Sequence, residues 1–337
     1  MRTLARHLPD EIAGPSARRD LVALSDGIPR RIVTLGFECR LADDDAIDLG
    51  FSIAPENGGR DALVGSPPDP TVERVSACNA TWARVRDLAR RWIDPTSHLH
   101  TWVPFLFFEL DAGSACNGIP SPSVFVALDS RLDGAPGIPG GMRAAPELAA
   151  AREAAERLGG LVPGDPVDEM LARCFDLLPR GARVLHVGVM ASRREPTVRL
   201  SVLLLEADLE SFLAPLDATV VARAAAHALK RLPGRYPLAQ VDFDLTSVQS
   251  KIGLGLQPRS PDGPNWSTLI DEVMQLSEGR REKAKAVLRW PGKGLVSIAG
   301  RERAIRRELS HLKLVCSVDA PIQAKAYLGI RPERATE

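Results

Sequence analysis

The stretch from Glu308 to Ile330 reads as a β-hairpin with two chemically different faces, and this says most about what must surround it. Leu312, Leu314, Cys316, Ala324, Ala326, Leu328 and Ile330 fall on one face, and His311, Lys313, Gln323, Lys325 and Tyr327 on the other, because successive side chains of a strand leave opposite faces. Such a sheet needs an apolar layer against one side and a wet space on the other.

Four earlier segments repeat the pattern. Ile32 to Arg40 with Ala46 to Ala54 sets Val33, Leu35, Phe37, Ile47, Leu49 and Phe51 against Thr34, Gly36, Glu38, Arg40, Asp48, Gly50 and Ser52. Pro104 to Asp111 with Ser123 to Asp129 sets Leu106, Phe108, Val124 and Val126 against Phe107, Glu109, Asp111, Phe125 and Asp129. Ala182 to Ser192 with Thr197 to Leu205 sets Leu185, Val187, Val198 and Leu200 against His186, Gly188, Met190, Arg199 and Ser201. Ala239 to Leu245 with Ser250 to Gln257 sets Val241, Phe243, Ile252 and Leu254 against Asp242, Asp244, Lys251, Gly253 and Gly255. Alternation of this kind marks half-buried strands.

Helical periodicity fills the intervals. Val72 to Ile93 carries Val75, Trp82, Val85, Leu88, Ala89 and Trp92 at helical spacing and stops at Asp94-Pro95. Pro146 to Leu158, Pro166 to Leu178, Leu209 to Leu232 and Trp266 to Trp290 precede the later hairpins. Hairpins make neighbouring strands antiparallel, which excludes a doubly wound parallel sheet. The expected fold is α+β: repeated αββα units closing a roughly ten-stranded antiparallel β-barrel with an outer ring of helices and a polar lumen. An open sheet or two α+β half-domains is the competing arrangement. The expected organisation is an N-terminal arm (1–29), one barrel domain (30–330) and a short tail (331–337), with Pro55 to Pro70, Gly134 to Met142 and Pro258 to Asn265 as surface loops.

Composition narrows the function classes. Lys plus Arg equals Asp plus Glu at 43 each, which argues against nucleic-acid or membrane partners that need a basic excess. No apolar run reaches membrane-spanning length and the first residues lack a signal-peptide core, so a cytoplasmic protein is expected. Five cysteines without paired spacing suggest neither a disulfide framework nor a zinc site, and no metal or cofactor is expected.

The candidate site residues are the inward-facing polar and aromatic side chains: Glu38, Arg40, Phe107, Glu109, Phe125, Arg199, Asp242, Lys251, His311, Lys313, Lys325 and Tyr327. Lysine is scarce, seven residues in all, yet Lys251, Lys313 and Lys325 sit on inward faces, where a compact charge on a flexible stem suits an anion. Their bland alternative is pairing with lumen acids such as Glu38, Glu109, Asp111, Asp129, Asp242 and Asp244, since buried charges need partners. Gly253-Leu-Gly255 lies within a strand, so it offers room rather than a phosphate-binding turn.

Serial αββα units with Ser310-His-Leu-Lys-Leu and Ala324-Lys-Ala-Tyr-Leu on lumen strands resemble the ABBA-type aromatic prenyltransferases. The resemblance implies that a lumen cation followed two positions later by Tyr holds a diphosphate and shields an allyl cation. Lys325 and Tyr327 fit that spacing; Lys313, Lys251 and Arg199 are followed instead by Val315, Gly253 and Ser201. Only Tyr236 and Tyr327 are tyrosines, so no tyrosine cage can be assembled. The same hairpin is similar to bacterial proteins of crocagin-type ribosomal peptide pathways, which implies peptide binding without catalysis.

Two functions are therefore expected from the residues and these resemblances. The first is a non-catalytic peptide-binding accessory protein of natural-product maturation, partnered by a peptide substrate and other biosynthetic enzymes. The alternative is a prenyltransferase using an allylic diphosphate, with Glu38 as base and Arg40, Arg199, Lys251, Lys313 and Lys325 around the diphosphate.

Overall fold

The computed structural model describes residues 7–42, 45–65, 68–112, 115–116, 119–128, 140–193, 195–232, 238–257, 265–298 and 301–333. Asp129, Tyr236 and most of the stretches 134–142 and 258–265 lie outside these residues.

The strands are β1 Thr34–Arg40, β2 Ile47–Ile53, β3 Leu106–Leu110, β4 Ala115–Cys116, β5 Ile119–Pro120, β6 Ser123–Ala127, β7 Arg183–Val189, β8 Val198–Leu205, β9 Leu238–Asp244, β10 Lys251–Leu256, β11 Gly292–Ile298, β12 Arg301–Ser317 and β13 Gln323–Pro332. All pairings are antiparallel, in the order β10-β9-β8-β7-β6-β3-β2-β1-β13-β12-β11. A further pairing of β10 with β12, from Lys251 opposite Ser317 to Leu256 opposite Leu312, closes the ring. The barrel therefore has ten strands, with β4 and β5 a small separate hairpin and β11 lying outside the ring on the first half of β12. Strand β12 starts at Arg301, well before the Glu308 expected from alternation, because its first half leaves the barrel to pair with β11.

The hydrophobic core is a shell between barrel and helices rather than a barrel filling. Phe51 stacks on Phe108 at 4.8 Å, and Phe108 on Trp82 of helix Ala80–Ile93 at 5.6 Å. Two of the buried indoles find an acceptor: Trp82 Nε1 donates to the Pro120 carbonyl (3.2 Å) and Trp92 Nε1 to that of Val103 (2.7 Å), while the buried Trp290 Nε1 has no partner among the described residues. Phe37 meets Trp290 edge-on at 6.2 Å on the other side of the ring. Burying these apolar strand faces under helices frees the opposite faces to line a lumen, as the alternation demands.

Helix boundaries depart from the sequence expectation for local reasons. The single helix expected over 72–93 is two, Pro70–Cys78 and Ala80–Ile93, because Asn79 is extended and its side chain caps the second helix through Thr81 N (3.0 Å) and Trp82 N (3.3 Å). The stretch 209–232 breaks at Ala214–Leu216, where Pro215 and a left-handed Asp217 (φ 59°) interrupt the turn. The stretch 266–290 divides into Trp266–Leu276 and Arg281–Arg289. The expected surface loop over 55–70 instead holds helix Gly59–Val64, whose Ala62 and Leu63 are buried. Within 1–29, helix Pro15–Leu24 contributes Leu21 and Leu24 to the core, with Leu8 and Ile12 beside them.

Candidate functional site

The inward faces of β2, β1, β13 and β12 align into cross-strand rows, because antiparallel register sets like positions side by side. Nearest one mouth, Arg40 lies opposite Lys325 and Lys325 opposite Lys313. One step along, Asp48, Glu38, Tyr327 and His311 stand in register. One step further, Glu109, Gly50, Gly36, Gly329 and Glu308 form the next row. Rows two residues apart are separated by about 6.7 Å along the strands. The lumen thus passes from a row of cations, through a row of acid, phenol and imidazole, to a trough of glycine bounded by carboxyls.

The middle row is tied together by Glu38. Its two carboxylate oxygens accept from Lys325 Nζ and the Tyr327 hydroxyl. His311 stacks flat on Tyr327, with ring centroids 4.0 Å apart and planes 12° from parallel. Lys313 lies over Gly253 of β10, forms an ion pair with Asp242 of the next strand β9, and lies 6.0 Å from the Tyr327 ring centroid. Asp48 accepts from Arg40 Nη2 (3.2 Å) and from the Ala112 backbone N–H (2.8 Å). The last carbonyl of β1, that of Arg40, accepts from the fully buried Lys283 at 3.3 Å, which anchors the strand end carrying the cation.

The facing wall adds charges at the same mouth. Arg199 Nε and Nη2 donate to Asp244 at 2.8 and 3.2 Å, and Arg193 Nη1 donates to the same carboxylate at 2.6 Å. Gln240 bridges Ser201 (3.2 Å) and Asp242 (3.3 Å). Lys251 stands exposed at this mouth and makes no ion pair among the described residues.

Three glycines let lumen side chains lie flat against the wall. A Cβ on Gly50 would sit 2.7 Å from the Phe107 ring, on Gly188 2.3 Å from the Phe125 ring, and on Gly253 2.3 Å from Lys313 Cε. Phe107 and Phe125 accordingly lean together at 6.0 Å as a tilted pair. The space left open is a cavity of about 220 Å³ lined by Glu38, Asp48, Glu109, Phe107, His311 and Tyr327 over the glycine trough.

Electrostatics follow from the rows. Burial pushes the Glu38 carboxyl up, but the ammonium groups of Lys325 and Lys313 and the two hydrogen bonds outweigh it and hold it at about 2. Glu109 goes the other way, to about 8, because burial and the charges of Glu38 and Asp111 outweigh the pull of Arg199 and Lys325. Asp48 is raised to about 6 by burial and by Glu38, against the Ala112 N–H and Arg40. Burial and Lys313 lower His311 to about 4, so it is a neutral imidazole at physiological pH. Burial and the Glu38 charge raise the Tyr327 phenol well above its usual range, which keeps it a hydrogen-bond donor. Lys251, though exposed, is lowered by partial desolvation at the mouth and by the positive field of Lys325, Arg193 and Arg199.

Every described sequence candidate lies on the inner face of the ring. Glu38, Phe107, Glu109, His311 and Tyr327 border the cavity, whereas Arg40, Lys251 and Arg199 crowd the charged mouth. Lys313 and Lys325 share the row of Arg40 at that mouth, and Phe125 and Asp242 stand between the two groups. Period-two reading alone undervalued Asp48 and the glycines Gly36, Gly50 and Gly329, although their inward direction was visible in the alternation. Arg193 and Ser192 come from the loop after β7, where no periodicity signals direction; Ser192 donates to Asp111 and meets Ser123 Oγ at 2.7 Å. A register shift between Val184 and His186 gives Val184 the covered face expected for Leu185.

No family model matches the sequence, and no curated protein does. Solved structures do match. Prenyltransferase PriB in its apo form superposes with a TM-score of 0.56 at 15% identity, covering 100% of this chain and 98% of that one. The chain has the ABBA prenyltransferase-like fold. The PriB ternary complex with L-tryptophan and dimethylallyl thiolodiphosphate matches with a TM-score of 0.53 at 16% identity, covering 99% and 97% of the two chains. The 5-dimethylallyltryptophan synthase from Streptomyces coelicolor matches at 0.52 and 16% identity, covering 97% and 95%. At such identity the likeness carries the ABBA fold, and the chemistry must be argued from the lumen itself. No helix among the described residues is long and apolar enough to cross a membrane.

Proposed function

We propose that this protein transfers a prenyl group from an allylic diphosphate to an aromatic acceptor. The observation that carries the reading is the order of the rows: cations at one mouth, Glu38 and Tyr327 in the middle, and an open glycine-floored cavity beyond. A diphosphate on Lys325, Lys313, Arg199 and Lys251 would extend its prenyl chain toward Tyr327 and His311. The allylic C–O bond then breaks with its electron pair passing to the diphosphate oxygen. The ring's π pair forms the new C–C bond, and the ring proton leaves to a base. Glu38 would serve as that base, and the donor itself would prepare it. A diphosphate that draws Lys325 away removes the main opposing charge from Glu38 and raises its basicity.

The match to PriB with L-tryptophan and a dimethylallyl thiolodiphosphate supports the same reading by analogy of fold. One observation favours the second reading, a non-catalytic peptide-binding protein of a ribosomal peptide pathway. Lys325, Lys313, Arg199, Arg193 and Arg40 each already face a carboxylate, so a diphosphate must compete for them. The deciding experiment incubates the protein with dimethylallyl diphosphate and indole acceptors and follows mass. A product one prenyl unit heavier, slowed about 10²- to 10⁴-fold in Glu38→Gln, supports transfer. Folded protein that gives no product yet binds a peptide would establish the second reading.

A further inference from the structure

The cavity over the glycine trough is bordered mostly by carboxyls among its ionisable groups. Its ionisable lining consists of Glu38, Asp48, Glu109, Glu308, His311, Tyr327 and a single cation, Arg331, which is half exposed and already donates to Glu308. Glu38 and Asp48 also have their donors. Glu109 accepts no hydrogen bond and joins no ion pair among the described residues, though it sits beside the cavity. One carboxylate oxygen from each of Glu38, Asp48 and Glu109 lies within 4.8 Å of the others. A single ligand with two donors can therefore bridge Glu38 and Glu109, since each carboxylate oxygen offers two lone pairs.

We propose that the acceptor is an aromatic compound carrying a positively charged amine, seated over Gly36 and Gly329 with a ring N–H toward Glu38 and the ammonium on Glu109. This rests on the aromatic-acceptor reading above and adds a substrate class to it. A free amino acid suits the cavity less well, because its carboxylate would face Glu38, Asp48 and Glu109, and among the described lining residues the cation, Arg331, is already paired with Glu308. An amine, or an aromatic residue beside a basic group within a peptide, brings only the charge the cavity lacks. The groups that set the Glu109 field are Glu38 on β1, Asp111 after β3, Arg199 on β8 and Lys325 on β13, with the Asp48 carboxylate of β2 also facing it within 4.8 Å. Burial and the two acids hold the Glu109 proton to about 8, so an ammonium must displace it and binding gains as pH rises toward that value.

The test is calorimetric binding of tryptamine, 3-methylindole and L-tryptophan to the full chain with dimethylallyl thiolodiphosphate present, in wild type and in Glu109→Gln. Tryptamine should bind about tenfold more tightly than either other compound, and Glu109→Gln should erase the difference while leaving 3-methylindole unchanged. Equal affinities, tryptamine binding weaker than 3-methylindole or absent, or a preference that survives in Glu109→Gln would overturn the inference. Turnover is not needed for this readout. Tryptamine that binds selectively but is never prenylated would defeat the transferase reading and leave the amine selection standing.

Discussion

The two ends of the lumen are made from the same strands yet solve opposite problems. At the charged mouth Arg40, Lys325, Lys313, Arg199 and Arg193 are each set against Asp or Glu, so the wall is full and mutually neutralised. At the open end Gly36, Gly50 and Gly329 remove side chains, and Phe107 lies back over Gly50. One end stores charge that a stronger anion can recruit; the other stores volume. A sheet with period two places these only two or four residues apart, as in Gly36-Phe-Glu38-Cys-Arg40 and Lys325-Ala-Tyr327-Leu-Gly329.

Cutting a charge pair at the mouth should have the largest effect. Lys313→Met should leave Asp242 buried without its main partner and cost roughly 3–5 kcal/mol in urea unfolding, with much of it regained in Lys313→Met/Asp242→Asn. A single-mutant loss under 1 kcal/mol would mean the mouth is wetter than described. At the other end, Gly50→Val should force Phe107 off the wall into the cavity. That predicts a stability loss of roughly 1–3 kcal/mol and loss of indole binding, with thiolodiphosphate affinity unchanged.

Titration separates the ends by sign. Glu38 is depressed from 4.5 to about 2, so the stability it contributes is present above pH 4.5 and is lost as pH falls toward 2. Glu109 is raised from 4.5 to about 8, so its contribution is intact below pH 4.5 and is lost as pH rises through 8. Glu109→Gln should therefore melt higher than wild type at pH 8.5, by about 2–4 °C for each kcal/mol relieved, and match it near pH 5. An unchanged difference across that range would show that Glu109 does not titrate as described. The smallest effect should come from Lys251→Ala, which removes an exposed cation that has no ion pair among the described residues. It should weaken thiolodiphosphate binding by about threefold to tenfold while leaving the melting temperature within about 1 °C.

These features differ in how openly the sequence carries them. The barrel was legible because the alternation of β1, β2, β3, β6, β9, β10 and β13 is unbroken, and because the helical stretches supply the layer their apolar faces require. Closure was legible in ten strands each apolar on one face, but not which strands make it: the pairing of β10 with β12 depends on register between distant strands. Glu38, Lys325 and Tyr327 were visible as inward residues, but their mutual contact depends on β1 and β13 being neighbours although nearly 300 residues separate them. Strand β11 escaped because Gly292-Lys-Gly-Leu-Val mixes glycine with a short apolar run and gives little alternation. The glycine trough escaped for another reason: each glycine alone reads as a twist or a bulge, and only the register aligns Gly50, Gly36 and Gly329 into a floor.

The division of labour between the two ends is tested most directly by cross-titration. Dimethylallyl thiolodiphosphate and tryptamine are each titrated into wild type, Lys251→Ala and Gly50→Val. Lys251→Ala should weaken only the thiolodiphosphate and Gly50→Val only the tryptamine. Both substitutions weakening the same ligand, or neither weakening either, would contradict a lumen divided into a charged mouth and an open acceptor end.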